Sequence, residues 1–212
     1  MAITTVFENN VADYEQWYED HKAIFESEVR ALQAQFAKLP ENLRGIEVGL
    51  GTGRFSVALG IKEGVEPASA MAEKAAQRGI EVMPGVAEKL PYGDMQFDFV
   101  LFVTICFLDQ LKQGLKEANR VLKKGGAVII GFLDKDRPIA LGYKEKKERS
   151  TFYQRASFYT VKRLENLLEE TGFVNPEYNQ TLFGELEEIS EAQFPEDGHG
   201  SGSFVVVKAT KK

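Results

Sequence analysis

The sequence contains few of the residues from which disulfide frameworks and metal centres are built. It has one cysteine and two histidines in 212 residues. The cysteine, Cys106, cannot form an internal disulfide, and its place in an apolar run is typical of a core thiol in a reducing compartment. No histidines and cysteines occur together at metal-ligand spacing, so we expect no bound metal.

Long apolar runs and an excess of positive charge are also missing. No stretch approaches the roughly 20 consecutive apolar residues of a membrane-spanning helix. Residues Met1 to Glu8 lack the pattern of a signal peptide, so we expect a cytoplasmic protein without a membrane partner. The net charge is −6 at pH 7. Nucleic-acid-binding proteins usually present a basic face, so this charge balance argues against nucleic acid as a partner.

The rest of the composition is that of an ordinary globular domain. Hydrophobic residues make up 43% of the chain and charged residues 27%, which is typical of folded proteins. A chain of this length buries enough surface to be stable without a disulfide or a metal. We therefore predict one domain over residues 1–212, with no internal repeat.

The chain begins with a helical pattern. Apolar residues recur at three- and four-residue steps through residues 10–39, which predicts one long amphipathic helix or two joined helices. Charged residues lie mostly between these apolar positions: Glu15, Glu19, Lys22, Glu26 and Glu28.

From Ile46 onward, short apolar runs alternate with helical segments. This alternation indicates right-handed crossovers and a buried parallel sheet. The predicted strands are 45–49, 60–66, 80–84, 97–103, 127–133, 175–183 and 203–209, and the predicted helices are 53–59, 67–78, 109–122 and 160–171. Two segments, 134–155 and 184–200, break the alternation and are predicted to be loops beside the sheet.

The first strand ends in a glycine-rich turn, Ile46-Glu47-Val48-Gly49-Leu50-Gly51-Thr52-Gly53. Such a turn lets the backbone approach a ligand closely. A dinucleotide-binding turn would need glycine at position 54, where Arg54 stands, and the chain has no G-K-[ST] phosphate-binding loop. A tight turn with no ligand is the other interpretation of these residues.

The turn resembles the first motif of class I S-adenosylmethionine-dependent methyltransferases, of the small-molecule, methyltransferase-11-like type. Later segments resemble further motifs of that family in the expected order: 64–68, 85–92, 97–100 and 117–126. The resemblance implies an α/β fold, a three-layer Rossmann-like sandwich with seven strands, six parallel and the last antiparallel. It further implies an N-terminal helical cap over 1–40, a cofactor-binding core over 41–134, and a substrate-side insertion with the C-terminal strands over 135–212.

The resemblance also assigns residues to the cofactor, S-adenosyl-L-methionine. Gly49, Gly51 and Gly53 would pass under its methionine half, Glu47 would support its ammonium group, and Glu66 would hold the ribose hydroxyls. The remaining candidates flank the adenine or face the methyl group: Pro67, Met71, Ala87, Glu88, Val103 and Thr104. The sequence departs from the family at Val86, where an acid is common, so Glu88 or a backbone carbonyl would have to bind the adenine amino group.

Aromatic residues are the candidates for holding the methyl acceptor. Rings stack on planar molecules or bind cationic amines, and the implied acceptor pocket lies between the cap and the insertion. The substrate-binding candidates are Tyr14, Trp17, Tyr18, Tyr143, Phe152 and Tyr153. Methyl transfer needs a general base only if the acceptor arrives protonated. No catalytic group stands out, and Tyr14, Trp17 and His21 are weak candidates.

The sequence thus favours an enzyme that methylates a small-molecule acceptor, such as an amine, an imidazole or a phenol, by in-line displacement. A non-catalytic S-adenosylmethionine-binding sensor or scaffold is the main alternative, suggested by Val86 and by the missing base. A nicotinamide-dependent oxidoreductase shares the sheet architecture, but Arg54 weighs against it. The acceptor atom and the oligomeric state stay open.

Overall fold

The computed structural model describes residues 3–212, with side chains from Thr4 onward. Its centre is a single sheet in which short apolar strands are covered on both faces. The strands are β1 (Gly45–Val48), β2 (Glu63–Glu66), β3 (Glu81–Pro84), β4 (Phe97–Val103), β5 (Leu122–Leu133), β6 (Phe173–Thr181), β7 (Glu196–Asp197) and β8 (Phe204–Lys211).

The strand order is β3-β2-β1-β4-β5-β8-β6-β7. The strands from β1 to β5 pair in parallel, and β8 lies antiparallel between β5 and β6. This arrangement confirms the predicted α/β class with a mainly parallel sheet and an antiparallel last strand. The prediction of seven strands is one short, because the two-residue β7 adds an antiparallel edge beside β6.

Helices cover both faces of the sheet. They are α1 (Ile3–Asn9), α2 (Val11–Asp20), α3 (Lys22–Phe36), α4 (Arg54–Leu59), α5 (Ser69–Gln77), α6 (Leu111–Val121), α7 (Pro138–Glu145) and α8 (Val161–Glu170). Apolar side chains of α6 and α8 pack in one cluster against β1, β4, β5 and β8. Those of α3 and α7 form a second cluster that includes the opposite face of β4, β5 and β8. Among these helices, none combines the length and the apolar character that a bilayer crossing requires.

The prediction of two joined helices within residues 10–39 is confirmed by α2 and α3, which meet at His21, whereas α1 lies before that range and was not predicted. Two local predictions were wrong. The segment 134–155 contains α7, which Pro138 opens at its first turn, followed by two short 3₁₀ turns. The segment 184–200 contains a 3₁₀ turn and β7.

Polar contacts attach the first two helices, α1 and α2, to the edge of the sheet, and these two helices together are called the cap. Glu15 on α2 accepts hydrogen bonds from Thr52, Arg54 and Arg78, which come from the turn after β1 and the end of α5. Glu8 on α1 accepts hydrogen bonds from the Ser69 hydroxyl at 2.6 Å and the Ala70 amide at 3.2 Å. Both contacts fix the cap above the carboxyl ends of β1 and β2.

The pKa of Glu15 reflects this attachment. Burial raises it, but the hydrogen bonds from Arg78, Arg54 and Thr52 outweigh burial and lower the pKa from 4.5 to about 2. A carboxylate whose pKa is lower in the folded than in the unfolded chain stabilises the fold above the unfolded value. The stabilisation is lost as the pH falls through the folded value.

We expect Gly64→Ala to destabilise the fold by about 1–3 kcal/mol, because an added methyl group overpacks the core. A Cβ at this position in β2 would lie 2.4 Å from the backbone oxygen of Glu47. Gly142→Ala on α7 is the control, because a Cβ there meets nothing within 4 Å. It should gain a few tenths to about 1 kcal/mol by restricting the unfolded chain. Urea unfolding followed by circular dichroism measures the free energy of unfolding of both variants. Equal values for Gly64→Ala and Gly142→Ala would contradict the close approach at Gly64.

We also expect Glu15→Gln to reduce stability at neutral pH and to flatten its acid dependence. Wild type should lose the Glu15 contribution as the pH falls from about 4.5 towards 2, whereas the variant has no such carboxylate to protonate. Glu26→Gln, an exposed position on α3, is the matched control. Urea unfolding at several pH values measures the difference, and parallel curves for wild type and Glu15→Gln would contradict the assigned ion pairs.

Candidate active site

A cavity of about 180 Å³ lies along the edge at which the parallel strands end. Its walls include the turn after β1, the ends of β2 and β4, the cap helices and α7. In α/β sheets this edge is where ligands bind, because loops there diverge to either side of the sheet. The cavity has a cofactor end, at β1, β2 and the start of α5, and an acceptor end, at β5, β6 and α7.

The glycine turn forms the floor of the cofactor end. Gly49 and Gly51 have φ angles of +71° and +56°, a left-handed conformation that side chains disfavour. Space is open where a Cβ of Gly49 would stand, and a Cβ of Gly51 would lie 3.2 Å from the Tyr14 hydroxyl. Gly53 does not line the cavity, and a Cβ there would lie 2.5 Å from Ile80 Cδ1. The third glycine therefore allows the turn to pack against the residues after α5.

Glu66 projects from the end of β2 into the same region. Its carboxylate accepts hydrogen bonds from the amides of Gly51 and Ala68, each at 2.9 Å. Burial raises its pKa, although these two amides oppose the shift. Each carboxylate oxygen has a second lone pair, so Glu66 retains capacity to bind a ligand. Pro67 and Met71 line the cavity beside it.

Glu47 is a second buried carboxyl group of the cofactor end, only 1% exposed. The Ser56 hydroxyl donates a hydrogen bond to it. Burial raises the pKa of Glu47 to about 8, although the Ser56 bond opposes the shift. A positive ligand beside Glu47 would favour the ionised form.

The wall beyond β3 contains the predicted residues Ala87 and Glu88, together with Val86 and Asp109. One Glu88 oxygen accepts the Gln110 amide at 2.9 Å, just before α6 begins, so part of its hydrogen-bonding capacity is used within the protein. Val86 is 44% exposed. Asp109, which precedes α6, was not predicted as a site residue because it belongs to none of the motifs.

Val103 and Thr104 line the cavity where β4 ends. Thr104 has a φ angle of +61°, which is uncommon for a residue other than glycine. The chain turns there into a short 3₁₀ helix, Ile105–Phe107, which directs Phe107 towards the cap. Backbone strain of this kind clusters at functional sites.

All six predicted substrate-binding residues line the cavity: Tyr14, Trp17, Tyr18, Tyr143, Phe152 and Tyr153. Tyr143 and Tyr153 stack with ring centroids 3.9 Å apart. Phe7 of α1, which sequence reasoning missed, packs against Tyr14, Phe107 and Phe152. The Tyr14 hydroxyl, beside Gly51, places that residue at the border between the two ends.

The two histidines and the cysteine lie outside the cavity lining. His21 does not line the cavity, and its ring stacks on Trp17 with centroids 4.4 Å apart. The His199 ring packs edge-on against Tyr178, with ring centroids 5.0 Å apart. Cys106 is buried, which raises the pKa of its thiol. Within residues 3–212, no group of three or more histidine, cysteine or acidic side chains is arranged to hold a metal.

Glu28 on α3 is the most unexpected residue of the site. The sequence pattern places it among charged residues of a helix surface, yet it is 8% exposed and lines the cavity. Burial raises its pKa to about 8. In the described part of the chain, no side chain or amide hydrogen-bonds to its carboxylate, and no cation pairs with it.

The charges around the cavity all have one sign. Five acidic residues line it, namely Glu28, Glu47, Glu66, Glu88 and Asp109, and over residues 4–212 no lysine, arginine or histidine does. Buried carboxylates without cationic partners favour ligands that bring positive charge. S-adenosylmethionine carries a sulfonium and an ammonium group, so the residues at the cofactor end fit it.

Comparisons with known proteins agree with this geometry. The sequence pattern of the methyltransferase domain family matches residues 46–130. An uncharacterized protein of Methanocaldococcus jannaschii is 39% identical over 207 residues, covering 97% of this chain and 98% of its own. A demethylmenaquinone methyltransferase of Bacillus velezensis is 28% identical over 223 residues, covering 84% of this chain and 91% of its own.

A solved structure is similar over nearly the whole chain. It is an S-adenosylmethionine-dependent methyltransferase of Thermotoga maritima, described as a possible histamine N-methyltransferase. The two chains are 44% identical and superpose with a TM-score of 0.94, over 99% of this chain and 100% of the other. Together with the glycine turn, Glu66 and the cavity that joins them to the aromatic residues, these similarities show that the chain belongs to the class I S-adenosylmethionine-dependent methyltransferases and is an enzyme of that family.

Proposed function

We propose that this methyltransferase acts on a small-molecule acceptor with an amine, imidazole or phenol group, held at the acceptor end of the cavity. The observation that carries the proposal is the continuity of one cavity from Gly49 and Glu66 to the rings of Tyr143 and Tyr153. The Thermotoga maritima protein, described as a possible histamine N-methyltransferase, supports a nitrogen acceptor within this set.

At the cofactor end, the chain's own groups match the parts of S-adenosylmethionine. The methyl group arrives activated on a sulfonium, so the protein has mainly to bind, align and exclude water. We propose that Gly49 and Gly51 lie beneath the methionine half, that Glu47 faces its ammonium group, and that Glu66 accepts hydrogen bonds from the ribose hydroxyls. Because Gly53 lies outside the cavity lining, we propose that it supports this end by packing near Ile80 and not by contact with the cofactor.

The adenine would lie along the wall that contains Pro67, Met71 and Ala87. Two acidic side chains of this wall can take the place of the acid that the family often has at the position of Val86. One Glu88 oxygen is occupied by the Gln110 amide, and Asp109 lines the same wall. We propose that the adenine amino group donates to Asp109 or to the second Glu88 oxygen.

The acceptor would be held between the cap and α7. Val103 and Thr104 stand between the two ends, and Trp17, Tyr18, Tyr143, Phe152 and Tyr153 would enclose the acceptor's apolar part. We assign Tyr14 to the border, because its hydroxyl lies beside Gly51. His21 is set aside as a catalytic candidate, since it lies outside the cavity lining. The family's activity and the room at the acceptor end weigh against a non-catalytic sensor.

Calorimetric titration with S-adenosylhomocysteine tests the cofactor end. Loss of hydrogen bonds to a buried carboxylate should weaken binding about 10- to 100-fold in Glu66→Ala. The Gly51 and Ala68 amides donate to different oxygens of Glu66, so Glu66→Gln keeps an acceptor for only one of them. Its affinity should lie between those of wild type and Glu66→Ala. Glu73→Ala, exposed on α5, should bind as wild type does. Equal affinity in wild type and Glu66→Ala would contradict the ribose assignment.

Methyl transfer to the acceptor is tested with labelled S-adenosylmethionine and a panel of amines, imidazoles and phenols. We expect turnover with at least one class, and its loss in Glu66→Ala. Turnover confined to a protein or a nucleic acid would overturn the small-molecule proposal.

A further inference from the structure

We propose that the acceptor molecule binds with a positively charged nitrogen group and that the Glu28 carboxylate binds this group. The atom that receives the methyl group needs a free lone pair, so it is not this nitrogen while the nitrogen keeps its proton. The inference rests on the proposed function, because it assumes that the acceptor enters the aromatic end of the cavity. It narrows the acceptors from amine, imidazole or phenol to those that bind with a positive charge.

The first step is the isolation of Glu28. Every other strongly buried glutamate of the cavity has a partner within the protein: the Ser56 hydroxyl for Glu47, and the Gly51 and Ala68 amides for Glu66. Glu28 has none among the residues that the structure describes, although it is only 8% exposed. A buried carboxyl group without a partner is costly to ionise, so its position at a cavity wall points to a ligand as the partner of the ionised form.

The second step is the position of Glu28 in the fold. It projects from α3, which packs mainly on β6 and β8 and less on β5 and α4, whereas the glycine turn follows β1 and Glu66 ends β2. Leu133, Leu182 and Phe204 line the same part of the cavity. Glu28 is therefore the charged residue of the acceptor end, and Glu47, Glu66, Glu88 and Asp109 belong to the cofactor end.

The third step is the surroundings of the carboxylate. Burial above all raises the pKa values of Tyr18, Tyr143 and Tyr153, and the Glu28 charge adds to each shift. Tyr18, Tyr143 and Tyr153 line the same cavity as Glu28, and ring faces and a carboxylate both attract positive charge, so this lining suits an organic cation. A phenol or another neutral acceptor would leave Glu28 protonated, whereas a cationic acceptor would favour its carboxylate form.

The charge of Glu28 changes on binding, which gives a measurable signal. Because burial raises its pKa to about 8, the empty site holds a proton on Glu28 at pH 7. A bound ammonium or imidazolium would favour the carboxylate, so binding releases that proton to solvent. The Glu28 charge raises the pKa values of Tyr18 of α2, Tyr143 of α7 and Tyr153 of the 3₁₀ turn, and Cys106 and Glu187 act on the pKa of Tyr143 in the same direction. Their raised pKa values keep these tyrosines neutral at pH 7.

The test uses the full chain saturated with S-adenosylhomocysteine, titrated calorimetrically with histamine, phenethylamine and phenethyl alcohol. Phenethyl alcohol matches phenethylamine except for the charge. We expect at least one of the two amines to bind at least about 10-fold more tightly than the alcohol. Repeating the titration in buffers of different ionisation enthalpy at pH 7 should show release of close to one proton with that amine and none with the alcohol.

Variants separate the charge of Glu28 from its packing. Glu28→Gln keeps the shape and should weaken binding of that amine about 10- to 100-fold, abolish proton release and leave the alcohol unchanged. Glu28→Asp keeps a carboxylate and should retain proton release with weaker binding. Glu26→Gln, exposed on the same helix, should match wild type.

Three results would overturn the assignment of Glu28: amine and alcohol binding with equal affinity, amine binding without proton release, or failure of both amines to bind while S-adenosylhomocysteine does. Failure of S-adenosylhomocysteine itself to bind would instead overturn the cofactor site of the proposed function. The two proposals can therefore fail separately.

Discussion

The Glu15 carboxylate accepts hydrogen bonds from Thr52, Arg54 and Arg78, and so joins the N-terminal cap to the two segments that form the cofactor end. A partly buried carboxylate stays ionised in this place only because two guanidinium groups share it. The aromatic residues of α1 and α2 take their positions over the sheet edge from this attachment. The acceptor end of the cavity thus depends on ion pairs at the opposite end, and Arg54, which excludes a dinucleotide turn, is one of the groups that holds the cap.

The pKa values of the carboxyl groups in and around the cavity are shifted in opposite directions, depending on whether cations lie beside them. Glu15 has cations beside it, and its pKa falls to about 2. Glu47 and Glu28 lie in the cavity wall without cations, and burial raises the pKa of each to about 8. The difference follows from the partners and not from the residue type. Cations outside the cavity stabilise the cap, whereas the acids inside are left for ligands that carry positive charge.

The sheet and the cofactor end could be predicted from the sequence, because both depend on local patterns. Alternation of short apolar runs with helices indicates a parallel sheet. The spaced glycines after the first strand identify Gly49 and Gly51, and the acid that ends the next strand is Glu66. Helix α1 could not be predicted in this way, since its β-branched residues Thr4, Thr5 and Val6 disfavour a helix. It forms where Phe7 packs against aromatic rings from distant segments.

The residues of the acceptor end could be predicted only in part, because some of their positions depend on contacts between segments that are distant in the chain. Aromatic residues attract attention in any sequence, and all six candidates line the cavity. Glu28 does not stand out, because its burial results from the packing of α3 against β6 and β8, which are far away in the chain. Asp109 is similar, since its place on the cavity wall follows from the course of the chain before α6. Sequence periodicity distinguishes buried from exposed faces of a helix, but it does not show when a charged residue faces a cavity.

The outermost strands of the sheet have a consequence for how copies of the chain meet. An edge strand with free amides and carbonyls is a template for pairing with another chain. At one edge, β3 has four residues and ends on Pro84, which has no amide hydrogen to donate. At the other edge, β7 consists of two exposed acids, Glu196 and Asp197, whose charges repel a second copy of themselves. Both edge strands therefore disfavour hydrogen-bonded pairing with a strand of another copy of the chain.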